Sequence, residues 1–173
     1  VVCYTNSPKA HLLLNGKEVG EVKPYDDSNG IIYWDIPFAA GTLTCEGLDN
    51  DGKAQSQDSI TTSGRPYKIT ATVDKTELTG EGSVAHVTIQ IKDENDVLVR
   101  LADNEVTCRV FGAGRLLGLE GSNNSDMGDY TDNRQRVHNG QLLAYITNRG
   151  HGEIRISLSS PLLESAELVL QSK

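Results

Sequence analysis

Aromatic residues are scarce in this 173-residue chain, which holds one Trp, six Tyr and two Phe. A stacking platform for sugars or bases needs several rings on one face, so this stock argues against one. Cysteine is scarcer still. Cys3, Cys45 and Cys108 are too few and too widely spaced for a disulfide scaffold, and they lack the C-x-x-C pairs of a zinc site. Long apolar runs are missing too: none nears the roughly 18 residues of a membrane helix, and strand-sized runs such as Ala10 to Leu14 already contain His11. Membrane insertion is therefore not expected. Positive charge is in deficit, with 16 basic against 24 acidic residues and a net charge of −8. The basic residues are scattered singly, so no stripe tracks phosphates and nucleic acid is not an expected partner. The acidity reads as a solvated surface. Val1 lies inside a strand-like pattern with no initiator Met, basic leader or apolar leader core, so a fragment or processed product is expected.

What the chain does have is short apolar segments alternating with period two, bounded by Gly, Asn, Asp or Pro, which is the pattern of strands. The fold class expected is all-β. Strands are predicted at Val1 to Thr5, Ala10 to Leu14, Glu18 to Val22, Ile31 to Ile36 and Thr42 to Glu46. Asn15-Gly16 and Asp51-Gly52 are hairpin signals, because these residues tolerate the positive φ of a type I′ turn. The cluster Ser63-Gly64-Arg65-Pro66 breaks the pattern and places a domain boundary there, giving units 1–66 and 67–173. Strands then follow at Tyr67 to Val73, Ala85 to Ile91, Val97 to Arg100, Val106 to Phe111, Arg115 to Leu119, Gln141 to Thr147, Glu153 to Leu158 and Ala166 to Leu170. That spacing suits a β-sandwich. The alternation predicts burial of Ile69, Ala71 and Val73, of Val87, Ile89 and Ile91, of Val106, Cys108 and Val110, of Ile154, Ile156 and Leu158, and of Ala166, Leu168 and Leu170. Only Glu120 to Asn139 lacks periodicity over a long stretch, and loops above about 12–15 residues are usually functional or mobile.

Few residues point to chemistry. Gly112 to Gly118 resembles a dinucleotide fingerprint in its glycines, but Glu120-Gly121-Ser122-Asn123-Asn124 breaks the helix that motif requires, leaving a glycine-bounded strand pair. Asp49-Asn50-Asp51-Gly52 and Asp93-Glu94-Asn95-Asp96 carry calcium-type oxygens without the distal Glu of an EF-hand, so hairpin turns explain both. His11, His86, His138 and His151 share no metal spacing, and no G-x-S-x-G elbow precedes them. No catalytic residue, metal ligand or cofactor site is expected. Cys3 and Cys45 take inward-phased positions in one small unit; an intersheet disulfide would need an oxidising compartment, and two buried free thiols are the reading adopted. Cys108 should act as a small buried hydrophobe. In Ile31 to Ile36 the phase puts Trp34 in the core and Tyr33 outside. Tyr130, in the long loop, joins Tyr33 as a candidate ligand contact.

Several stretches together carry a resemblance. They are Cys3-Tyr4-Thr5-Asn6, Ala10 to Gly20 with Leu14-Asn15-Gly16-Lys17, and Trp34-Asp35-Ile36-Pro37-Phe38 with Gly41-Thr42-Leu43. In order and spacing they resemble the small sandwich that follows the catalytic barrel in bacterial glycoside hydrolase family 2 enzymes of the β-galactosidase type. Ala85 to Ile89, Asp93-Glu94-Asn95, Ala102-Asp103-Asn104, Gly112 to Gly118, Arg136 and Asn139-Gly140 resemble the C-terminal immunoglobulin-like domain of the same enzymes. The resemblance implies two tandem immunoglobulin-like β-sandwiches forming a non-catalytic accessory module. In such enzymes two glutamates on a (β/α)₈ barrel of about 250 residues carry the reaction, so they are expected outside this chain. The partners implied are the parent's catalytic barrel, a second subunit and the parent's carbohydrate substrate. Export from a bacterium to periplasm or cell surface is implied as well, and Ser122 to Asn133 is the loop nominated to reach an active-site rim. Two rival readings are a carbohydrate-binding module and a passive immunoglobulin-like spacer of a bacterial surface protein.

Overall fold

Period-two alternation gives each strand one face to bury, and the chain meets that demand with strands alone. The computed structural model describes all residues, 1–173, and contains no helix. Its backbone divides into two compact units, Val1–Thr62 and Ser63–Lys173. The Ser63–Pro66 turn thus lies at the start of the second unit, where the Gly64 amide donates to Asp93 Oδ2 at 2.6 Å.

The first unit contains β1 (Val2–Tyr4), β2 (Lys9–Leu14), β3 (Lys17–Glu18), β4 (Lys23–Pro24), β5 (Ile31–Tyr33), β6 (Thr42–Leu48) and β7 (Ala54–Thr61). One sheet runs β3-β2-β6-β7 with β4 also on β2, and β1 pairs with β5 in a second, two-stranded sheet. Ala10, Leu12, Ile32 and Trp34 are buried at the centre, with Cys3, Val19, Ile36, Leu43 and Cys45 packed around them. Trp34 is only 2% exposed, and its indole N–H donates to the Glu21 carbonyl at 2.8 Å. The Asn15-Gly16 hairpin is present, with both residues at positive φ (52° and 76°).

Three expectations in this unit are corrected. Of Glu18 to Val22 only Glu18 lies in a strand, at the end of β3, and β4 begins beyond Val22; between them Gly20 sits at φ +82° directly against the Trp34 ring, where a Cβ would come within 2.8 Å of Cδ1. The predicted strand through Ile36 ends at Tyr33, and one further amide, that of Trp34, bonds to the Val1 carbonyl. Strand β7 was not expected at all: its eight residues are all exposed, so they show no apolar alternation, and the ladder to β6 holds them as a polar edge.

The second unit contains β8 (Lys68–Val73), β9 (Glu77–Leu78), β10 (Val84–Lys92), β11 (Glu105–Gly112), β12 (Gly114–Glu120), β13 (Arg134–Arg136), β14 (Gln141–Asn148), β15 (Gly152–Ser159) and β16 (Ala166–Ser172). The sheets β12-β14-β10-β8 and β13-β11-β15-β16-β9 enclose one core. Every residue predicted to be inward belongs to that core or packs against it, and Cys108 is 1% exposed. Val97 to Arg100 is a correction: it makes one isolated bridge, Lys92 to Leu98, rather than a strand. Asp96 at φ +65° and the Asp93 carboxylate, which accepts from the Asn95 and Val97 amides, hold it as a turn that still buries Val99. The predicted loop 120–139 also needs correcting, because β13 forms inside it on the edge of β11.

Candidate functional site

The site is organised by the segment that joins β12 to β13. A bulge between Leu116 and Gly118 shifts the β12 register against β14, and Tyr130 then folds back onto the strand, its carbonyl accepting from the Leu119 amide at 2.8 Å. Gly118 permits that approach, since a Cβ there would lie 2.8 Å from the Tyr130 oxygen. The loop's own polar side chains fix its path. Asn123 Oδ1 accepts from the Ser125 amide (3.1 Å), Asp126 Oδ1 from the Gly128 amide (2.9 Å) and Asp129 Oδ1 from the Thr131 amide (2.8 Å). These are Asx turns, in which a side chain replaces a backbone acceptor. The Thr131 hydroxyl and amide together hold the Asp129 carboxyl below the usual carboxylate range. The Tyr130 hydroxyl donates to the Asp126 carbonyl at 3.0 Å, so its ring stands at a defined angle while 48% exposed.

Between this loop and the sheet lies a half-open cavity of about 310 Å³, lined by the stretch Gly118 to Asn124 with Asp126, Tyr130 and Tyr145. Its floor is Tyr145 on β14, whose hydroxyl donates to Glu120 Oε2 at 2.5 Å. That bond, followed by burial and the Glu120 charge, raises the phenol above its ordinary value. The His86 and Tyr145 rings meet edge to face, centroids 5.3 Å apart at 85°. His86 is held in turn by Asp74, through Nδ1 to Oδ2 at 3.0 Å. Burial pushes the Asp74 carboxyl up, but the amide and ring bonds from His86 outweigh it and leave the group lowered. A second hollow of about 360 Å³ shares Glu120, Gly121 and Ser122 and runs to His138 and Asn139. There Asn139 and Gly140, at φ 51° and 73°, form the two-residue turn closed by paired His138–Gln141 backbone bonds. Carboxylates, amides and a ring face in one hollow can bind hydroxyl-rich molecules. No group of three or more His, Cys, Asp or Glu is placed to hold a metal ion.

Of the two predicted ligand contacts, Tyr130 stands in this cavity. Tyr33 belongs to the first unit, 55% exposed at the end of β5, directly across the ladder from Val2. Tyr4 lies two residues beyond Val2 on the same face, so Val2, Tyr4 and Tyr33 form one exposed apolar stripe. Tyr145 and Glu120 were not singled out from the sequence. The available signal was phase: Leu142, Ala144 and Ile146 point inward, which turns Tyr145 outward beside the end of β12.

Two strand-only units, the second a two-sheet sandwich with a polar loop cavity, define a β-sandwich module rather than an α/β catalytic domain. Comparison with known proteins supplies its family. The family model described as glycoside hydrolase family 2 C-terminal domain 5 matches residues 69–169, and a domain of unknown function, DUF4982, matches residues 1–56. The chain belongs to glycoside hydrolase family 2, its residues 69–169 forming C-terminal domain 5. It is 31% identical over 174 residues to Beta-galactosidase BoGH2A of Bacteroides ovatus, matching 99% of this chain and 20% of that protein. A beta-galactosidase of Thermoanaerobacter pseudethanolicus is 28% identical over 90 residues, which are 51% of this chain and 12% of that protein. Among solved structures, a beta-glycosidase from Bacteroides vulgatus superposes with a TM-score of 0.88 at 26% identity, covering 98% of this chain and 22% of the other. The chain therefore spans about a fifth of the relatives it matches along its whole length.

Proposed function

We propose that this chain is the non-catalytic accessory part of a bacterial glycoside hydrolase of the β-galactosidase type, bracing the catalytic barrel of its parent. The observation that carries the reading is the match of 99% of the chain to one fifth of a β-galactosidase, in which the remaining four-fifths is left to house the reaction. The exposed stripe of Val2, Tyr4 and Tyr33 supports it: apolar surface of this kind gains about 25 cal/mol per Å² when a neighbouring domain covers it. The parent's substrate is a β-galactoside, and the setting is the periplasm or cell surface. The ordered loop Ser122 to Asn133, fixed by its own side-chain bonds, extends to the rim of the parent's active site or to a second subunit.

Replacing residues 122–133 by a short Gly-Ser linker in the full parent enzyme tests the loop. A changed KM for the galactoside or a changed assembly mass is expected; unchanged kinetics and unchanged mass would remove the loop from the account. The cavity beside Tyr130 favours a second reading, in which the chain itself binds sugar. That reading requires the isolated chain to bind galactosides and Tyr130→Ala to lose the binding.

A further inference from the structure

The first unit has only four fully packed apolar side chains at its centre, Ala10, Leu12, Ile32 and Trp34, a small core for an independent fold. Against that core, from opposite sheets, lie two thiols. Cys3 is the inward residue of β1, opposite Ile32, and Cys45 is, with Leu43, an inward residue of β6, opposite Leu12. Their sulfurs are 3.2 Å apart, with the Cys45 thiol donating to Cys3 Sγ. A disulfide needs about 2.05 Å between sulfurs, so closure asks for a movement of about one ångström, within the reach of side-chain rotation. Cys108, the third cysteine, belongs to the other unit's core and has no sulfur partner.

We propose that Cys3 and Cys45 are a modification site: an intersheet disulfide, formed by exchange with a small-molecule disulfide, that staples the two sheets of the first unit together. Burial first, then the bond and charge interaction with Cys3 and the charges of Asp58 and Glu46, push the Cys45 thiol up to about 12. Cys3 opens the exchange in one of the two equivalent orders. Its thiolate displaces one thiol from the external disulfide and forms a mixed disulfide. Cys45 then loses its proton to solvent base, attacks Cys3 Sγ and expels the second thiol. Two protein thiols are oxidised by two electrons in all, and the external disulfide is reduced to two thiols. The proton that Cys45 must give up makes this closing step faster as pH rises.

The test uses the folded 173-residue chain. It is incubated with oxidised glutathione at mildly alkaline pH, or with dithiothreitol, then denatured, alkylated and weighed intact. The reduced sample should take three alkyl groups, one per free cysteine. The oxidised sample should take one, on Cys108, remain monomeric, and yield a peptide joining Cys3 to Cys45. Cys45→Ser should stop at a stable glutathione adduct on Cys3, because the resolving sulfur is gone. The first unit should melt roughly 15–30 °C higher in the linked chain than in the reduced one, as expected of a cross-link closing a loop of some forty residues in a unit of this size. Three alkyl groups after oxidation, a glutathione adduct persisting in the unsubstituted chain, a link between chains, or an unchanged melting temperature would each overturn the proposal.

Discussion

Trp34 is the side chain on which the first unit most depends, and its removal has a calculable cost. It is 2% exposed, packs with Ala10, Leu12 and Ile32, and bonds through its indole to the Glu21 carbonyl. A buried Trp removes about 200 Å² from water, which at about 25 cal/mol per Å² is about 5 kcal/mol, and the net hydrogen bond adds about 1. Partial collapse of the hole reduces this, and measured Trp-to-Ala changes lie at about 3–5 kcal/mol. At about 0.05–0.15 kcal/mol per residue, the unit from Val1 to Thr62 has a total stability of about 3–9 kcal/mol. Trp34→Ala should therefore remove about a third or more of that stability and strongly promote opening of the first unit, while the core around Ile89, Ile146 and Ile156 persists. Trp34→Phe keeps a ring in place and should cost about 1–2 kcal/mol, mainly the lost donor. Amide hydrogen exchange read by mass spectrometry resolves the two units: protection should fall sharply in β2 and β6 and stay unchanged in β10, β14 and β15. Protection in β2 and β6 unchanged by Trp34→Ala would refute the assignment of Trp34 as the centre of this core.

Other sites give sharper local outcomes. Gly118→Ala places a methyl 2.8 Å from the Tyr130 carbonyl, so it should cost about 1–3 kcal/mol and free the Tyr130 segment, seen as faster exchange at the Leu119 amide. The Asp93 carboxyl is held below its ordinary value, first by the Gly64 amide and then, against a burial cost, by those of Val97 and Asn95. A lowered native value means that its contribution is complete above the unfolded range near pH 4 and is lost as pH falls through the native value. Asp93→Asn should therefore flatten the acid limb of the stability curve, measured by urea titration from neutral pH downward.

The parts of the fold that were legible in the sequence are those where burial dictates residue type. Strands β10, β14, β15 and β16 alternate because one face meets the core, and the predicted inward residues are in it. Strands β7 and β13 were not legible because neighbours, rather than their own apolar residues, hold them: β7 is polar throughout and rests on β6, and β13 rests on β11. At Val97 to Arg100 the reverse holds: apolar residues are buried by a turn without a ladder. At the candidate site, the length and polarity of the loop pointed to Tyr130. The Tyr145–Glu120 pair was hidden because it depends on register: the bulge at Gly118 sets which β12 residue stands beside Tyr145. Cys3 and Cys45 were legible as inward residues of one unit, but their 3.2 Å approach depends on how β1 and β6 face each other.

The central claim is that this chain supports a glycosidase without performing its chemistry, and hydrolysis of an aryl β-galactoside by the isolated chain and by its full parent polypeptide, side by side, tests it most directly. The account predicts turnover by the parent and none by the isolated chain. Turnover by the isolated chain, or none by the parent, would contradict it.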